Sequence, residues 1–168
     1  MLHGFICGQH RIEYNHPNLK VDLGVGLWAW PLPIDYDKDG DLDLVVSCPD
    51  KPHNGTYFFE NPGGNQKMPI FKPGQRIGKG PQNVQISYIN GEALISTPGR
   101  LHSQFRETQF TTSTKLPLSV HFHEGKKRAN QWKFADFDQD GLTDLLLGIG
   151  DWKDYGWDNA FDSKGQWK

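Results

Sequence analysis

The chain has 168 residues, with 18 basic and 20 acidic side chains for a formal net charge of −2. That balance lacks the basic footprint a nucleic-acid backbone demands, and no apolar run approaches the roughly 18 residues needed to span a bilayer. The length allows one domain or part of a larger one, and 19 glycines with 11 prolines suit many short strands joined by turns.

In chain order, Met1-Leu2-His3-Gly4-Phe5 lacks the charged and apolar regions of a signal peptide. Residues 5–14 alternate as a strand, Pro17 breaks it, and Lys20 to Trp30 resumes extended structure. Trp28 to Ile34 leads into the stretch Asp35-Tyr36-Asp37-Lys38-Asp39-Gly40-Asp41-Leu42-Asp43, and Leu42 to Ser47 leaves it as a buried strand. Asn54-Gly55 marks a turn before a third strand, Thr56 to Glu60, ended by Asn61-Pro62-Gly63-Gly64. A fourth strand is expected around Phe71 to Lys79. Four strands in about 50 residues is the content of one propeller blade. Cys7 and Cys48 can pair or stand as buried free thiols, so cysteine says little about compartment.

The acidic stretch recurs as Asp136-Phe137-Asp138-Gln139-Asp140-Gly141-Leu142-Thr143-Asp144, 101 residues further on. Both copies place Asp at loop positions 1, 3, 5 and 9, and Gly at position 6. Carboxylates so spaced can converge on a hard cation such as Ca²⁺, which takes about six to eight oxygen ligands, and position 7 adds a backbone carbonyl, here from Asp41 and Leu142. Glycine at position 6 permits a sharp turn. An EF-hand would need Glu at position 12 and flanking helices. Position 12 is Val46 in one copy and Leu147 in the other, and both flanks read as buried strands. Each loop therefore joins the two strands of a hairpin.

A repeat of about 50 residues puts a further copy near residue 86. Aligning Ser87 with Asp35 gives steps of 52 and 49 residues to Asp136. In this middle copy Asn90-Gly91, a strong type I′ hairpin signal, replaces the acidic loop. Ala93-Leu94-Ile95-Ser96 parallels Leu44-Val45-Val46-Ser47. Gln104 to Thr112 and Leu116 to Phe122 are expected to be strands, and Asn130 to Ala135 enters the second loop. Helical periodicity is absent, so the fold class is all-β.

The paired DxDxDGxxD loops between strands, with Tyr57-Phe58-Phe59-Glu60-Asn61-Pro62-Gly63 downstream, resemble the FG-GAP/VCBS repeat family over roughly residues 25–150. Members are calcium-binding β-propellers, usually of seven blades, related to the head of integrin α chains. The resemblance implies two calcium sites, with ligands from Asp35, Asp37, Asp39, Asp41 and Asp43, and from Asp136, Asp138, Asp140, Leu142 and Asp144. The middle repeat departs from the pattern, and no metal is expected there. Seven such blades need roughly twice this chain. The expectation is therefore part of a larger propeller: 1–27 ending a preceding blade, 28–80 and 81–129 forming two blades, and 130–168 starting another.

Family members occur in secreted and surface proteins, often of bacteria that bind or degrade polysaccharide, which implies an extracellular, cell-surface or periplasmic setting. Loops without a bidentate Glu should bind calcium weakly, and extracellular modules work at roughly 10⁻⁴–10⁻³ M. The leading functional expectation is polysaccharide recognition or processing with calcium in a structural role. Trp152, Tyr155, Trp157 and Asp158 offer stacking faces and a hydrogen-bonding carboxylate for a glycan. The competing reading packs these aromatics between blades, as is expected of Trp28, Trp30 and Trp132. A polysaccharide lyase or glycoside hydrolase would draw on His53, His102, His121, His123, Tyr155, Arg100 and Arg106, whose spacing singles out no catalytic set. His121 and His123 share a strand face suited to zinc but have no evident third ligand. Adhesion to a protein partner is the third reading.

Overall fold

The structure, a computed structural model, describes residues 25–63, 67, 69–118, 127–151, 162–164 and 166. Among the described residues the fold is all-β apart from one short helix. Trp30–Ile34 (β1), Asp43–Cys48 (β2), Gly55–Phe59 (β3) and Gln75–Gly78 (β4) form one antiparallel sheet in sequence order. Gln85–Ile89 (β5), Glu92–Thr97 (β6), Arg100–Leu101 (β7) and Thr114–Lys115 (β8) form a second of the same order. Lys127–Ala135 (β9) and Asp144–Asp151 (β10) pair as a third. No described helix is long and apolar enough to cross a membrane.

Alternation sets the first strand. Trp30, Leu32 and Ile34 are buried while Pro31 and Pro33 face out, and β1 is an edge strand, where proline's missing N–H harms no ladder. Those three side chains meet Val45, Phe58, Val84, Ile86, Ile95 and Phe105 in a core lying between the first two sheets. β1 packs beside β5, and β5 and β6 pack beside β9, so the leading strands of successive sheets are neighbours.

Buried hydroxyls tie each of the first two sheets to the chain that follows it. Ser47 Oγ donates to the Pro81 carbonyl at 2.7 Å, and Ser96 Oγ, at the equivalent place in β6, donates to the Trp132 carbonyl at 2.8 Å. Thr56 Oγ1 donates to the Lys79 carbonyl. Next to that contact, a Cβ on Gly80 would lie 2.5 Å from the carbonyl oxygens of Cys48 and Gly55, a separation only glycine avoids. Cys48 itself is buried, with its thiol 3.6 Å from the Leu27 carbonyl, and Cys7 lies outside the described residues.

Several expectations change. Ile34 pairs with Asp43, Ile89 with Glu92, and Ala135 with Asp144. The middle hairpin therefore matches Ile89 with Ile34, and Ser87 sits inside β5 rather than at a loop start. The Asn90-Gly91 turn is present, with both residues at positive φ, 51° and 83°. Gln104 to Thr112 is not a strand: Phe105–Thr108 is a helical turn (α1), closed by Thr108 N–H to the Gln104 carbonyl and Gln109 N–H to the Phe105 carbonyl. Threonine hydroxyls at 108 and 111 bond carbonyls three or four residues back, a local alternative to ladder pairing that an alternating pattern does not reveal. Beyond it only Thr114–Lys115 is strand; residues 116–118 are not, and 119–122 lie outside the description. Residues 25–29 are bent rather than extended, with Trp28 at φ 59°, while residues 1–24, with their expected strands, lie outside the described residues.

Of the expected packing tryptophans, Trp30 and Trp132 are buried. Trp28 is 46 % exposed, stacked on Trp30 with ring centroids 6.4 Å apart.

His102, only 6 % exposed, is a core histidine. The Thr112 carbonyl at 3.0 Å can only accept, so Nδ1 carries the proton and Nε2, 3.1 Å away, accepts from Thr97 Oγ1. Burial pushes its pKa below the usual 6.5, with Arg100 adding to the effect and the Thr112 bond opposing it. The unfolded chain then binds a proton at His102 before the native state does, so stability falls as pH drops through 6.5. Denaturant midpoints between pH 7.5 and 5.5 should show this slope, and His102→Gln should reduce it.

Candidate metal centre

Each acidic loop spans the gap between the first two strands of its sheet, and the two loops share one backbone solution. Position 4 is left-handed without being glycine, Lys38 at φ 67° and Gln139 at φ 63°. Position 6 is Gly40 at φ 99° and Gly141 at φ 87°. Three hydrogen bonds recur in register. The position 2 N–H donates to the position 9 carboxylate, Tyr36 to Asp43 Oδ2 at 2.9 Å and Phe137 to Asp144 Oδ2 at 2.8 Å. The position 5 N–H donates to position 3, Asp39 to Asp37 at 3.3 Å and Asp140 to Asp138 at 3.2 Å. The position 7 N–H donates to position 5, Asp41 to Asp39 at 3.1 Å and Leu142 to Asp140 at 2.8 Å. Backbone donors thus turn the carboxylates inward.

The result is convergence. Carboxylate oxygens of Asp35, Asp37 and Asp39 lie within 4.8 Å of one another, as do those of Asp136, Asp138 and Asp144. Asp136 also accepts the N–H groups of Asp140 and Gly141, at 3.1 and 3.0 Å. Leu142 is 69 % exposed, so position 7 in that loop has only its backbone to offer.

Asp43 and Asp41 each also meet residues beyond the acidic loop. Asp43 is 1 % exposed, and its second oxygen accepts the Asn61 N–H at 2.8 Å. Asn61 in turn donates its side-chain amide to the Leu42 carbonyl at 3.2 Å and accepts the Gly63 N–H at 3.3 Å. The Asn61-Pro62-Gly63 segment is therefore the clamp on the first loop, a role its turn-forming composition did not disclose. Asp41 stands on the wall of a pocket of about 400 Å³ lined also by Pro33, Leu42, Leu44, Asn61 and Phe71.

Electrostatics disfavours the empty arrangement. Desolvation by the surrounding loop, then Asp43 and Asp39, holds the exposed Asp37 carboxyl above the usual 3.8, against an opposing hydrogen bond from the Asp39 backbone. Partial burial, then Asp39, Asp43, Asp37 and Asp35, does the same to Asp41. Asp35 Oδ1 and Asp41 Oδ1 are buried with no hydrogen-bond partner. Buried, unpaired carboxylate oxygens among like charges fit a cation, and an all-oxygen donor set fits a hard one such as Ca²⁺ better than zinc.

The other candidates do not assemble. Among the described residues the groups of three or more His, Cys, Asp or Glu with metal-holding geometry are these two clusters. Arg100 bonds Ser113, His53 meets the edge of Tyr57, and His102 is core. His121, His123, Trp152, Tyr155, Trp157 and Asp158 lie outside the described residues. Compared with protein-family models, with curated proteins and with solved structures, the chain finds no match.

The geometry separates two kinds of aspartate. Asp43→Ala strands two backbone donors, each costing roughly 1–3 kcal/mol, so it should destabilise the protein in chelator as well as in calcium. Asp39→Ala relieves like-charge crowding and releases only the exposed Asp41 N–H to water, so in chelator its stability should stay within about 0.5 kcal/mol of the parent or rise. Paired urea titrations of the two variants, with and without chelator, check this.

Proposed function

We propose that this chain is a calcium-stabilised β-propeller module of the FG-GAP/VCBS kind, belonging to an extracellular, cell-surface or periplasmic protein. One observation carries the reading. Two loops 101 residues apart in sequence share their left-handed positions and three registered hydrogen bonds, and each gathers three carboxylates at the hairpin end of its sheet, from positions 1, 3 and 5 in the first and 1, 3 and 9 in the second. Independent acidic turns have no reason to agree in such detail. The consecutive antiparallel sheets, with β1 beside β5 and β5 beside β9, support a blade arrangement.

In this reading calcium is a structural counter-charge. Asp35, Asp37 and Asp39 would hold one ion, and Asp136, Asp138 and Asp144 the other. The ion supplies positive charge where the chain has concentrated negative charge. The chain's own residues do the rest: backbone N–H groups aim the carboxylates, and Asp43 and Asn61 keep the hairpin end closed. The second sheet closes its hairpin with Asn90-Gly91 and has no such loop. Glycan recognition, by Trp152, Tyr155, Trp157 and Asp158, and protein adhesion are the activities such a scaffold would present.

Thermal melts in calcium and in chelator test the proposal. At about 100 times the dissociation constant one site adds ~2.7 kcal/mol, which for a chain of this size raises the melting temperature by about 5–10 °C. Asp39→Ala and Asp138→Ala should each remove part of the rise. Protons compete with the ion at Asp37 and Asp41, whose pKa values are raised above 3.8. The calcium increment is therefore full at neutral pH and shrinks as pH falls toward those values. Cooperative melting indifferent to calcium would sink the proposal.

A further inference from the structure

The helix α1 of the second sheet docks on the first acidic loop. Arg106 Nε donates to the Asp35 carbonyl at 2.7 Å. Gln109 Nε2 donates to the Tyr36 hydroxyl at 2.9 Å, and that hydroxyl donates to the Arg106 carbonyl at 3.4 Å. The Tyr36 ring packs on Phe58 of β3 and on Phe105 of α1, with centroids 4.8 and 6.2 Å away. The exposed Lys38–Glu107 pair, at 3.6 Å, adds little.

These contacts fall on one peptide unit. The Asp35–Tyr36 peptide gives its carbonyl to Arg106 and its N–H to Asp43. Asp35 supplies the first carboxylate of the cluster, and its Oδ1 is buried without a partner. The orientation of that carboxylate is therefore set from the next repeat as well as from its own hairpin.

We propose that Arg106 is a positioning residue for the first loop, so that cation binding there and docking of the second sheet are coupled. This rests on the reading of the loop as a calcium site. Coupling is reciprocal. Calcium on the first loop stabilises a sheet that has no acidic loop of its own, and loss of the docking contact weakens calcium by the same factor.

The sign of the effect isolates the mechanism. A guanidinium acting only as a nearby positive charge would repel the ion, and its removal would strengthen binding. A positioning residue predicts the opposite. The test uses the full chain with the second loop silenced by Asp138→Asn and Asp140→Asn, and titrates calcium by calorimetry with Arg106 intact or changed to Met. A hydrogen bond from a charged donor corresponds to a loss of about tenfold in affinity. Hydrogen exchange adds a readout that a purely structural role would not move: calcium should slow the amides of β5 and β6 with Arg106 and leave them unchanged in Arg106→Met. If that variant fails to fold, Tyr36→Phe cuts the hydroxyl link while keeping the ring, with an expected loss of about threefold. Calcium binding that is unchanged or tighter in the folded variants overturns the coupling alone. No calcium binding with Arg106 intact overturns the calcium reading and the coupling with it.

Discussion

Carboxylates do not gather unless something holds them together, and this structure depends on how that is done. In each loop the backbone places three N–H groups, at positions 2, 5 and 7, onto the carboxylates at positions 9, 3 and 5. Such charge-assisted bonds favour the ionised form. Burial and the neighbouring charges oppose it, and at Asp37 and Asp41 they prevail. The loop is thus ordered but electrostatically unfinished, which is the condition under which a divalent cation gains most from a preformed site.

Keeping this tension local requires the strands on either side to be indifferent to it. The register shows that they are. The acidic loops close over eight residues and the middle hairpin over two, yet Ile34, Ile89 and Ala135 hold the same place at the end of their strands. Ser47 and Ser96 likewise reach forward to the next segment's carbonyl in sheets that differ in their hairpin ends. The sheet-to-sheet joint is made by buried hydroxyls and close glycine contact, far from the loop chemistry, so a sheet can carry Asn90-Gly91 in place of an acidic loop with the same strand register.

The parts of this design that were legible in sequence are those fixed by local stereochemistry. Four Asp and a Gly at set spacing, Asn-Gly at a hairpin, and alternation at Trp30, Leu32 and Ile34 each name a conformation directly. What was hidden depends on contacts between distant residues. Asp43 reads as one more ligand, and its further task of accepting the Asn61 N–H, from 18 residues on, leaves no trace in the local pattern. Lys38 and Gln139 carry no signal for left-handed backbone, because the loop's hydrogen bonds impose it on whatever residue stands at position 4. The alignment of Ser87 with Asp35 failed because a period counted in residues absorbs the six-residue difference in loop length at the wrong place. The helical turn at Phe105 is held by threonine back-bonding and by aromatic contacts to Tyr36 and Phe110, none of which alternation can express.

The two loops also separate the positions that build the acidic cluster from those that meet a neighbour. Positions 1, 3, 5, 6 and 9 are identical in both, and they carry the carboxylates and the turn. Positions 2, 4, 7 and 8 differ, and in the first loop two of the four have a partner outside the loop: Tyr36 packs between two sheets and Lys38 meets Glu107, while Asp41 and Leu42 line a pocket. In the second loop Phe137 is 72 % exposed and Leu142 nearly as much. Side chains at these positions are free to change because the backbone geometry does not need them, so they are where each loop adapts to its surroundings. Tyrosine at position 2 is the clearest case. It keeps the aromatic ring that Phe137 also supplies, and adds the one hydroxyl through which the second sheet's helix can hold the loop.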